Sequence, residues 1–442
     1  MLTRREVLTS LGWLGAVLAV PPVLAGCGET AASRRVGAGG SSPGLALANV
    51  SRDLGGAQDR PAAVAAVQAF TADLYRQLAA EQGNIVCSPY SVAVALAMTR
   101  AGARGRTGAE MDAVLHSPGA QTFDQGLSSL TRLIESRAGR VERFDGSHAT
   151  ISLDVANSLW GQRGTTWERP FLERLARYYG TGMRLVDYIG QTDKARTLIN
   201  GWTADMTHDR IPEIIPPDIL DELTRLVLVN AIYLKAPWEE TFLGSMTKPQ
   251  PFTRGDGSRV DADMMSGSLS LASFGAGPGW RAARLPYAGG ELAMTVVVPD
   301  GSLTQLEGSL DADRLAAMLA VPRPVDALVL HLPKWRFRLA PTLNDPLKAL
   351  GMPTAFDFDR AEFSAMTTEG HLYIKAVLHQ AFIAVDEHGT EAAAATAVIM
   401  DDQSAGPPPV ILDVDRPFLF VIHDVETATP LFIGRVDDPT TS

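Results

Sequence analysis

The patterned part of the chain begins with hydrophobic side chains that recur at helical spacing. Residues 62–80 place four large apolar side chains on one face of a predicted helix: Val64, Val67, Phe70 and Leu74. The short apolar run Asn84–Cys87 then predicts a strand. Ser88 and Pro89 suit the cap and first turn of a second helix, because a hydroxyl can accept a free backbone N–H and proline has none to satisfy.

Further along, the pattern changes from helical to strand-like. Residues 168–180 and 192–206 have helical spacing. Segments typical of strands are 151–159, 226–234, 292–298, 328–332, 418–423 and 431–436. Helices early and strands late predict an α+β fold with mostly antiparallel sheets. Nothing between residues 62 and 438 has the composition of a linker, so we expect a single domain over 61–440.

Local rules disagree about the segment that follows residue 385. Thr390, two positions before the alanine run 392–395, is typical of a capped helix start. The preceding segment, Leu372–Glu387, is rich in aliphatic and β-branched residues and favours a long strand, and Gly389 weakens the helix. Helix, strand and loop all remain open here, and such ambiguity is what a conformational switch needs.

Composition and charge exclude several classes of function. The chain has 442 residues, of which 46% are hydrophobic, and a net charge of −11, which argues against nucleic-acid binding. Arg100, Arg104 and Arg106 form the one basic cluster that a polyanion could bind. Acidic neighbours at Glu110 and Asp112 favour an ordinary solvated face instead.

Motifs for catalysis or metal binding are missing from the sequence. It contains no H-E-x-x-H and no Cys/His cluster with metal spacing. The glycine-rich Gly275–Gly279 includes Pro278 and has no following Lys-Ser/Thr, which argues against a phosphate loop. We therefore expect no enzyme, no cofactor and no metal. Cys87 lies in an apolar run and is expected to be a core residue rather than a reactive thiol.

The N-terminus has the character of an export signal. Arg4 and Arg5 precede an apolar run, Leu11–Ala25, that is too short to span a bilayer well. The run ends at Cys27 in a string, LAGC, that resembles the bacterial lipoprotein signal, in which the cysteine is lipidated and becomes the new N-terminus. An ordinary signal peptide and an uncleaved anchor remain alternatives, and the paired arginines also resemble a twin-arginine export signal.

This interpretation divides the N-terminal part into a signal, residues 1–27, and a flexible Gly/Ser/Ala-rich tether, residues 28–60. The protein would then be lipid-anchored on the outer side of a bacterial cytoplasmic membrane, or released outside the cell. Because Cys87 is the only cysteine after Cys27, the mature domain would form no internal disulfide.

Separated motifs along the folded part resemble those of the serpin family and keep their order. They are Asn84–Met111, Leu228–Phe242, Leu332–Trp335, Leu350–Met352, Phe363–Met366, Arg416–Phe420 and Phe432–Val436. The resemblance covers about residues 62–438 and implies a fold of three mostly antiparallel sheets with about nine helices. It also implies an exposed reactive-centre loop that serves as bait for a protease.

The resemblance assigns structural roles to residues beneath and above the central sheet. Ser88, Ser91, Asn230 and His379 sit where the family has its shutter cluster, and Trp238 sits at the breach, where the loop first inserts. Taken singly, these residues could also have ordinary structural roles, with Ser88 as a helix cap and His379 and Trp238 as core residues. A buried Ser–Asn–His network could hold strands together and still allow two arrangements.

The same resemblance makes the ambiguous segment the hinge of the reactive-centre loop. The implied hinge residues are Glu387, Gly389, Thr390, Glu391, Ala392, Ala393, Ala394 and Ala395. Inserting about a dozen residues as a new strand would gain on the order of 10 kcal/mol from backbone hydrogen bonds. The native form would be metastable, and the small hinge side chains predict a suicide-substrate inhibitor, with a non-inhibitory, substrate-like or binding serpin as the alternative.

The position of the cut depends on how the loop is counted. Counting forward from Glu387 by the family's spacing gives Gln403–Ser404, whereas counting back from Pro417 gives Gly406–Pro407, and we prefer the first. Met400 and Asp402 are alternative bait residues. Since no Arg or Lys lies between His388 and Arg416, the target is not trypsin-like but another serine protease or a cysteine protease, bound by a monomeric inhibitor.

Overall fold

The computed structural model describes residues 43–320, 322–391 and 409–441. Within these ranges the chain forms nine α-helices, of which α5 continues into a π-helical turn, Leu175–Tyr179. The helices are α1 Arg60–Leu78, α2 Pro89–Arg100, α3 Gly105–Val114, α4 Ala120–Glu135, α5 Arg169–Arg174, α6 Thr192–Met206, α7 Leu303–Gly308, α8 Ala312–Ala320 and α9 Asn344–Leu350. The α+β class expected from the sequence is confirmed.

The strands of the described residues form three sheets. The central sheet contains β1 Gly44–Ala46, β3 Gly139–Glu142, β4 His148–Gln162, β5 Met183–Val186, β6 Leu226–Pro237, β14 Trp335–Leu339, β15 Ala376–Asp386 and β16 Gly389–Thr390. The second sheet contains β2 Ile85–Cys87, β9 Ser273–Gly277, β10 Trp280–Pro286, β11 Leu292–Pro299, β12 Arg323–Pro324, β18 Phe418–Asp424 and β19 Pro430–Val436. The small sheet contains β7 Lys248–Thr253, β8 Arg259–Leu269, β13 Leu328–Pro333 and β17 Val410–Asp413.

The central sheet is mixed, and its strand order sets up the functional site. Its order is β1-β5-β4-β6-β16-β15-β14, with β3 paired to β4. The longest pairing is antiparallel, between β4 and β6, whereas β6 and β15 are parallel. A parallel pair cannot be joined by a tight turn, so its two strands come from distant parts of the chain. We call the line along which β6 and β15 face each other the seam.

The second sheet forms much of the hydrophobic core. Every residue of β11, β18 and β19 is buried. Strand β18 lies between the other two and pairs antiparallel with both. Helix α2 lies beneath the central sheet and is buried on nearly its whole circumference, which explains why its sequence is apolar throughout rather than amphipathic. Ser88 caps this helix by accepting the backbone N–H of Ser91, as predicted.

Three sequence-based expectations need correction. The folded domain begins before residue 61, because β1, within the predicted tether, pairs with β5 at the sheet edge. Helices α7 to α9 interrupt the region expected to hold only strands, since their helical patterns are short and lie between strong apolar runs. Thr390 does not start a helix: it lies in β16 between two strands, where backbone pairing outweighs local helix propensity.

Candidate functional site at the central sheet

At one end of the seam β6 and β15 pair directly with each other, and at the other end the short strand β16 separates them. Six consecutive residue pairs join β15 to β6, from Ala376 with Val227 to Ala381 with Ile232. Beyond them β16 lies between the two strands, with Thr390 paired to Val385 on one side and to Ala236 on the other. The chain that follows β15 has therefore turned back and begun a new central strand, two residues long.

Trp238 closes the open end of the seam, at the position predicted for the breach. Its indole is buried and stacks on Tyr287, with ring centroids 4.6 Å apart and planes 6° apart. The indole Nε1–H donates to the carbonyl of Asp386 at 3.0 Å, and its backbone N–H donates to the carbonyl of His388 at 2.8 Å. Trp238 thus holds the β15–β16 turn from both its side chain and its backbone.

Gly389 and Thr390 fit this site because of their small size. Gly389 has a φ of +146°, and a Cβ there would lie 2.3 Å from the carbonyl oxygen of Ala236, so no other residue fits without movement. Thr390 is buried, and its hydroxyl lies 2.7 Å from the hydroxyl of Tyr287. Burial raises the pKa of that tyrosine, so it stays neutral and hydrogen-bonded.

Glu387 anchors the turn to neighbouring elements. Its carboxylate accepts the hydroxyl proton of Thr247 at 2.7 Å and lies 2.9 Å from the ammonium nitrogen of Lys334. Burial acts to raise the pKa of Glu387, but these hydrogen bonds outweigh it, and the pKa is lowered. Glu387 therefore stays ionised at neutral pH and fixes the start of the hinge, which we define as Glu387–Glu391.

The four residues predicted for the shutter come together under the closed part of the seam. The backbone N–H of Ser88 donates to Nε2 of His379 at 3.0 Å, and the other ring nitrogen, Nδ1, contacts the side-chain oxygen of Asn230. The amide nitrogen of Asn230 donates to the hydroxyl of Ser91 at 2.5 Å. Because Nε2 accepts, Nδ1 must carry the proton, so the ring is a neutral imidazole with both nitrogens satisfied.

Burial keeps this cluster uncharged. It lowers the pKa of His379 to about 3, so the ring is neutral at physiological pH. His379 and Asn230 face each other across the parallel pair, and Ser91 belongs to α2 below. The cluster therefore joins β15, β6 and α2 by directional hydrogen bonds without a charge that would be costly to expose or rearrange.

Sequence reasoning missed a fifth member of this cluster, Asn157 of β4. Its side-chain oxygen accepts the Ser91 hydroxyl at 2.9 Å and contacts the amide nitrogen of Asn230, which it faces in the β4–β6 register. The sequence contains little signal for it, because this residue is only partly buried and β4 has other polar residues, Ser152, Asp154 and Ser158. Its role follows from the β4–β6 register, which places it opposite Asn230.

Several predicted residues lie outside the described part of the chain. These are Cys27, the hinge alanines Ala392, Ala393, Ala394 and Ala395, and the bait residues Met400, Asp402, Gln403 and Ser404. No helix among the described residues is both long and apolar enough to cross a bilayer, and those residues contain no cluster suited to a metal ion.

Two minor sequence assignments are resolved. Cys87 is a buried free cysteine, and burial raises the pKa of its thiol, as expected for a core residue. In the basic cluster, Arg100 pairs with Asp112 at 2.5 Å and Arg106 with Glu110 at 2.6 Å. The acidic neighbours therefore neutralise two of its three arginines, which favours a solvated face over a polyanion site.

Comparison with known proteins places this geometry in a family. The chain matches the family model Serpin (serine protease inhibitor) over residues 65–439. It is 36% identical over 385 residues to an uncharacterized serpin-like protein of Thermococcus kodakarensis, covering 86% of this chain and 87% of that protein. It is 34% identical over 384 residues to the leukocyte elastase inhibitor of Sus scrofa, covering 84% and 97%.

A solved structure agrees with both the sheets and the helices. The native state of tengpin, a thermophilic serpin, matches with a TM-score of 0.77 at 25% sequence identity, covering 90% of this chain and all of that one. The chain therefore belongs to the serpin family, a family of serine protease inhibitors rather than of enzymes.

Proposed function

We propose that this serpin is a suicide-substrate inhibitor: a target protease cleaves it near Gln403–Ser404, and the chain from Glu391 onward inserts between β6 and β15. The observation that carries this proposal is β16, a two-residue strand already placed between those two strands. Its direction is antiparallel to both neighbours, so continued insertion would extend an existing register without reversing the chain.

Insertion exchanges one set of backbone pairs for two. The parallel pairs between β6 and β15 would be lost, and the new strand would pair with both neighbours. Antiparallel pairs are slightly more stable than parallel ones, and about a dozen residues would gain on the order of 10 kcal/mol. The neutral cluster around His379 would release its cross-seam contact without exposing an ionised group.

The chemistry of trapping is that of an interrupted peptide hydrolysis. The protease nucleophile attacks the carbonyl carbon of Gln403, the Gln403–Ser404 amide bond breaks, and the amine of Ser404 leaves with a proton. The protease is then esterified, or thioesterified, to the new carboxyl end. Insertion of the loop carries the attached protease along and distorts its active site before water completes the hydrolysis.

The residues around the proposed bond indicate the class of target. No Lys or Arg lies between His388 and Arg416, which disfavours a trypsin-like target. Met400 and Gln403 suit an elastase-like or papain-like protease, and Asp402 suits one that prefers acidic residues. The name of the similar porcine protein, leukocyte elastase inhibitor, supports an elastase-like serine protease first.

A protease panel tests this function directly. The intact protein is incubated with an elastase-like, a papain-like, an acid-preferring and a trypsin-like protease, and the products are run on a denaturing gel. A complex that survives denaturation, with the cut at Gln403–Ser404 by mass spectrometry, is expected with at least one non-tryptic protease. Cleavage without a complex for every protease would instead identify a non-inhibitory serpin.

A specificity variant gives the matched control. Gln403→Arg should create a stable complex with the trypsin-like protease, whereas the unmodified protein should form none. Gain of that complex would locate the scissile bond, since trypsin-like proteases cut after Arg. If the trypsin-like protease cuts the variant after residue 403 and is then released in active form, the protein does not trap proteases even when its loop is cleaved at the intended bond.

We further propose that Cys27 is lipidated and that the protein acts as a monomer at the outer face of a bacterial cytoplasmic membrane, or after release. The signal-like residues up to Cys27 support this localisation. Sixteen residues, 28–43, lie between that cysteine and β1, enough for a reach of roughly 50 Å. The full chain should partition into detergent and Cys27→Ala into water, and gel filtration of Cys27→Ala should give a monomer of about the mass of the chain.

A further inference from the structure

The paired strand of the hinge, β16, ends at Thr390, and Glu391 is the residue that follows it. Its backbone N–H still donates to the carbonyl of Ala384 on β15, at 3.0 Å, as a strand residue would. Its φ, however, is +51°, in the left-handed region that residues other than glycine rarely occupy. Such a conformation persists only where the surroundings hold it, so the contacts of the Glu391 side chain matter.

Those contacts centre on Arg210. The guanidinium Nε of Arg210 lies 2.8 Å from Oε1 of Glu391, whose side chain is only 6% exposed. The second carboxylate oxygen, Oε2, is buried and has no hydrogen-bond partner among the described residues. The ion pair with Arg210 and the neighbouring Tyr233 hydroxyl therefore compensate the burial of this carboxylate, and removing Arg210 would leave its charge without an ion-pair partner.

The turn that carries Arg210 is itself held in an unusual conformation. It follows the end of α6 and contains two successive left-handed residues, His208 with φ +52° and Asp209 with φ +61°. The backbone N–H of Arg210 donates to the carbonyl of Thr207 at 2.9 Å. Histidine and aspartate adopt the left-handed region more readily than most residues, and together they turn the chain so that the Arg210 side chain reaches Glu391.

Two further contacts fix this turn on the central sheet. The ring nitrogen Nε2 of His208 lies 3.0 Å from a carboxylate oxygen of Asp154 on β4, and the His208 ring lies 5.0 Å from the ring of Tyr233 on β6. Burial and the nearby Glu391 carboxylate raise the pKa of Tyr233 to about 12. The turn after α6 thus rests on β4 and β6 at the level where the hinge stops.

We propose that Arg210 is a positioning residue that sets the resting point of the hinge, in which Gly389 and Thr390 pair as a strand and Glu391 is held in a left-handed conformation. This inference deepens the proposed function, on which it rests. Further insertion requires Glu391 to change from a left-handed to an extended conformation and to break its pair with Arg210. The Arg210–Glu391 pair therefore opposes further insertion of the loop.

Hydrogen exchange at the hinge tests this role without any protease. In Arg210→Gln the Glu391 amide, read in peptides ending at residue 391, should exchange about fivefold faster or more. Glu391→Gln should do the same, and Arg210→Lys should retain part of the protection. The matched control is Arg196→Gln, which removes a different Arg–Glu pair, to Glu213 at 2.8 Å. Glu213 lies three residues after Arg210, so this variant perturbs the same region while leaving the Arg210–Glu391 pair in place.

The second readout is spontaneous loss of inhibitory activity at 37 °C in the absence of protease. Arg210→Gln should lose activity several-fold faster than the unmodified protein, and Arg196→Gln should not. Unchanged hinge exchange in Arg210→Gln, or equal acceleration in Arg196→Gln, would overturn the positioning role. Faster hinge exchange in a protein that forms no covalent complex would support the role of Arg210 while the inhibitory function fails, so the two outcomes are distinguishable.

Discussion

The central sheet and the second sheet contain equally buried strands, but they differ in how those strands are joined. In the second sheet, β11, β18 and β19 are consecutive antiparallel neighbours with nearly unbroken register. In the central sheet, β6 and β15 share six parallel pairs and are then separated by β16. The second sheet has an uninterrupted strand order here, whereas in the central sheet the two-residue strand β16 separates β6 from β15 at one end only.

Each sheet contains a buried histidine, His423 in the second sheet and His379 in the central sheet, and the two make different contacts. In the second sheet, Nε2 of His423 lies 2.9 Å from the hydroxyl of Thr295 on the neighbouring strand β11. The β11–β18 pairing is unbroken there, although the β18–β19 register shifts at His423. In the central sheet, His379 reaches across the seam to Asn230 and down to α2. The same neutral side chain supports a fixed ladder in one sheet and, on the proposed mechanism, a separable contact in the other.

On the proposed mechanism, the metastability of the native state would be confined to the central sheet. Burial of apolar side chains is similar in both sheets, so it cannot distinguish the movable region from the fixed one. What distinguishes the central sheet is the parallel β6–β15 pairing, which stops where β16 separates the two strands, together with polar contacts concentrated at the seam. The following predictions test this contrast, beginning with the largest expected effect.

Cleaving the loop should stabilise the central sheet and leave the second sheet unchanged. If insertion adds about 10 kcal/mol of backbone hydrogen bonding, the midpoint of thermal unfolding should rise by about 12 °C. Hydrogen exchange should slow in β6 and β15 but not in β11 and β18. Calorimetry of intact and nicked protein measures the first effect, and an unchanged midpoint after nicking would remove the basis of the proposed function.

Thr390→Arg should convert the inhibitor into a substrate. The threonine side chain is buried against Tyr287, and an arginine there would carry an unpaired charge into the sheet as the loop inserts. Denaturing gels should show a cleaved chain and no complex with the protease that the unmodified protein traps. Thr197→Arg, on the exposed face of α6, is the matched control and should still form the complex.

Replacing one glycine of each sheet by alanine should disturb only the hinge in the central sheet but destabilise the whole fold in the second sheet. In Gly389→Ala the new Cβ would meet the carbonyl of Ala236, so the hinge should leave the sheet and the fraction of cleaved, uncomplexed product should rise. In Gly434→Ala of β19 the Cβ would lie 2.1 Å from the carbonyl of Ile85, and the whole fold should lose about 2 kcal/mol. Urea unfolding and complex yield, measured on both variants, separate these effects; a global loss in Gly389→Ala would contradict the local role of the hinge.

The sequence predicted much of the fold because its strongest signals are local. The apolar face of α1, the serine cap of α2 and the hairpin β18–β19 all follow from spacing and turn chemistry. The shutter residues and Trp238 were identified only through the family resemblance, since a buried serine, asparagine or tryptophan has no local signature of its role.

What the sequence could not predict depends on long-range register. Asn157 joins the shutter cluster because β4 pairs with β6 in a register that places it opposite Asn230, and the pairing of Arg210 with Glu391 spans 181 positions of the chain. Neither contact has a short-range pattern. The β1 strand was also missed, because its three residues lie in a Gly/Ser/Ala-rich segment and form a strand only against the edge of β5.

The smallest effect we predict is the dependence of stability on pH, which both sheets should share. Burial lowers the pKa of His379 to about 3 and that of His423 to about 4, whereas an unfolded histidine titrates near 6.5. Below pH 6.5 these histidines bind protons in the unfolded chain but not in the folded chain. Each histidine should therefore reduce the free energy of unfolding by about 2 kcal/mol as the pH falls from 7.5 to 5. Above pH 7.5 neither histidine should affect stability. His379→Gln and His423→Gln should each remove about half of this histidine-dependent loss in urea unfolding, but only His379→Gln, at the seam, should also change complex yield at neutral pH. Equal changes in complex yield for both variants would mean that the two sheets are mechanically coupled rather than distinct.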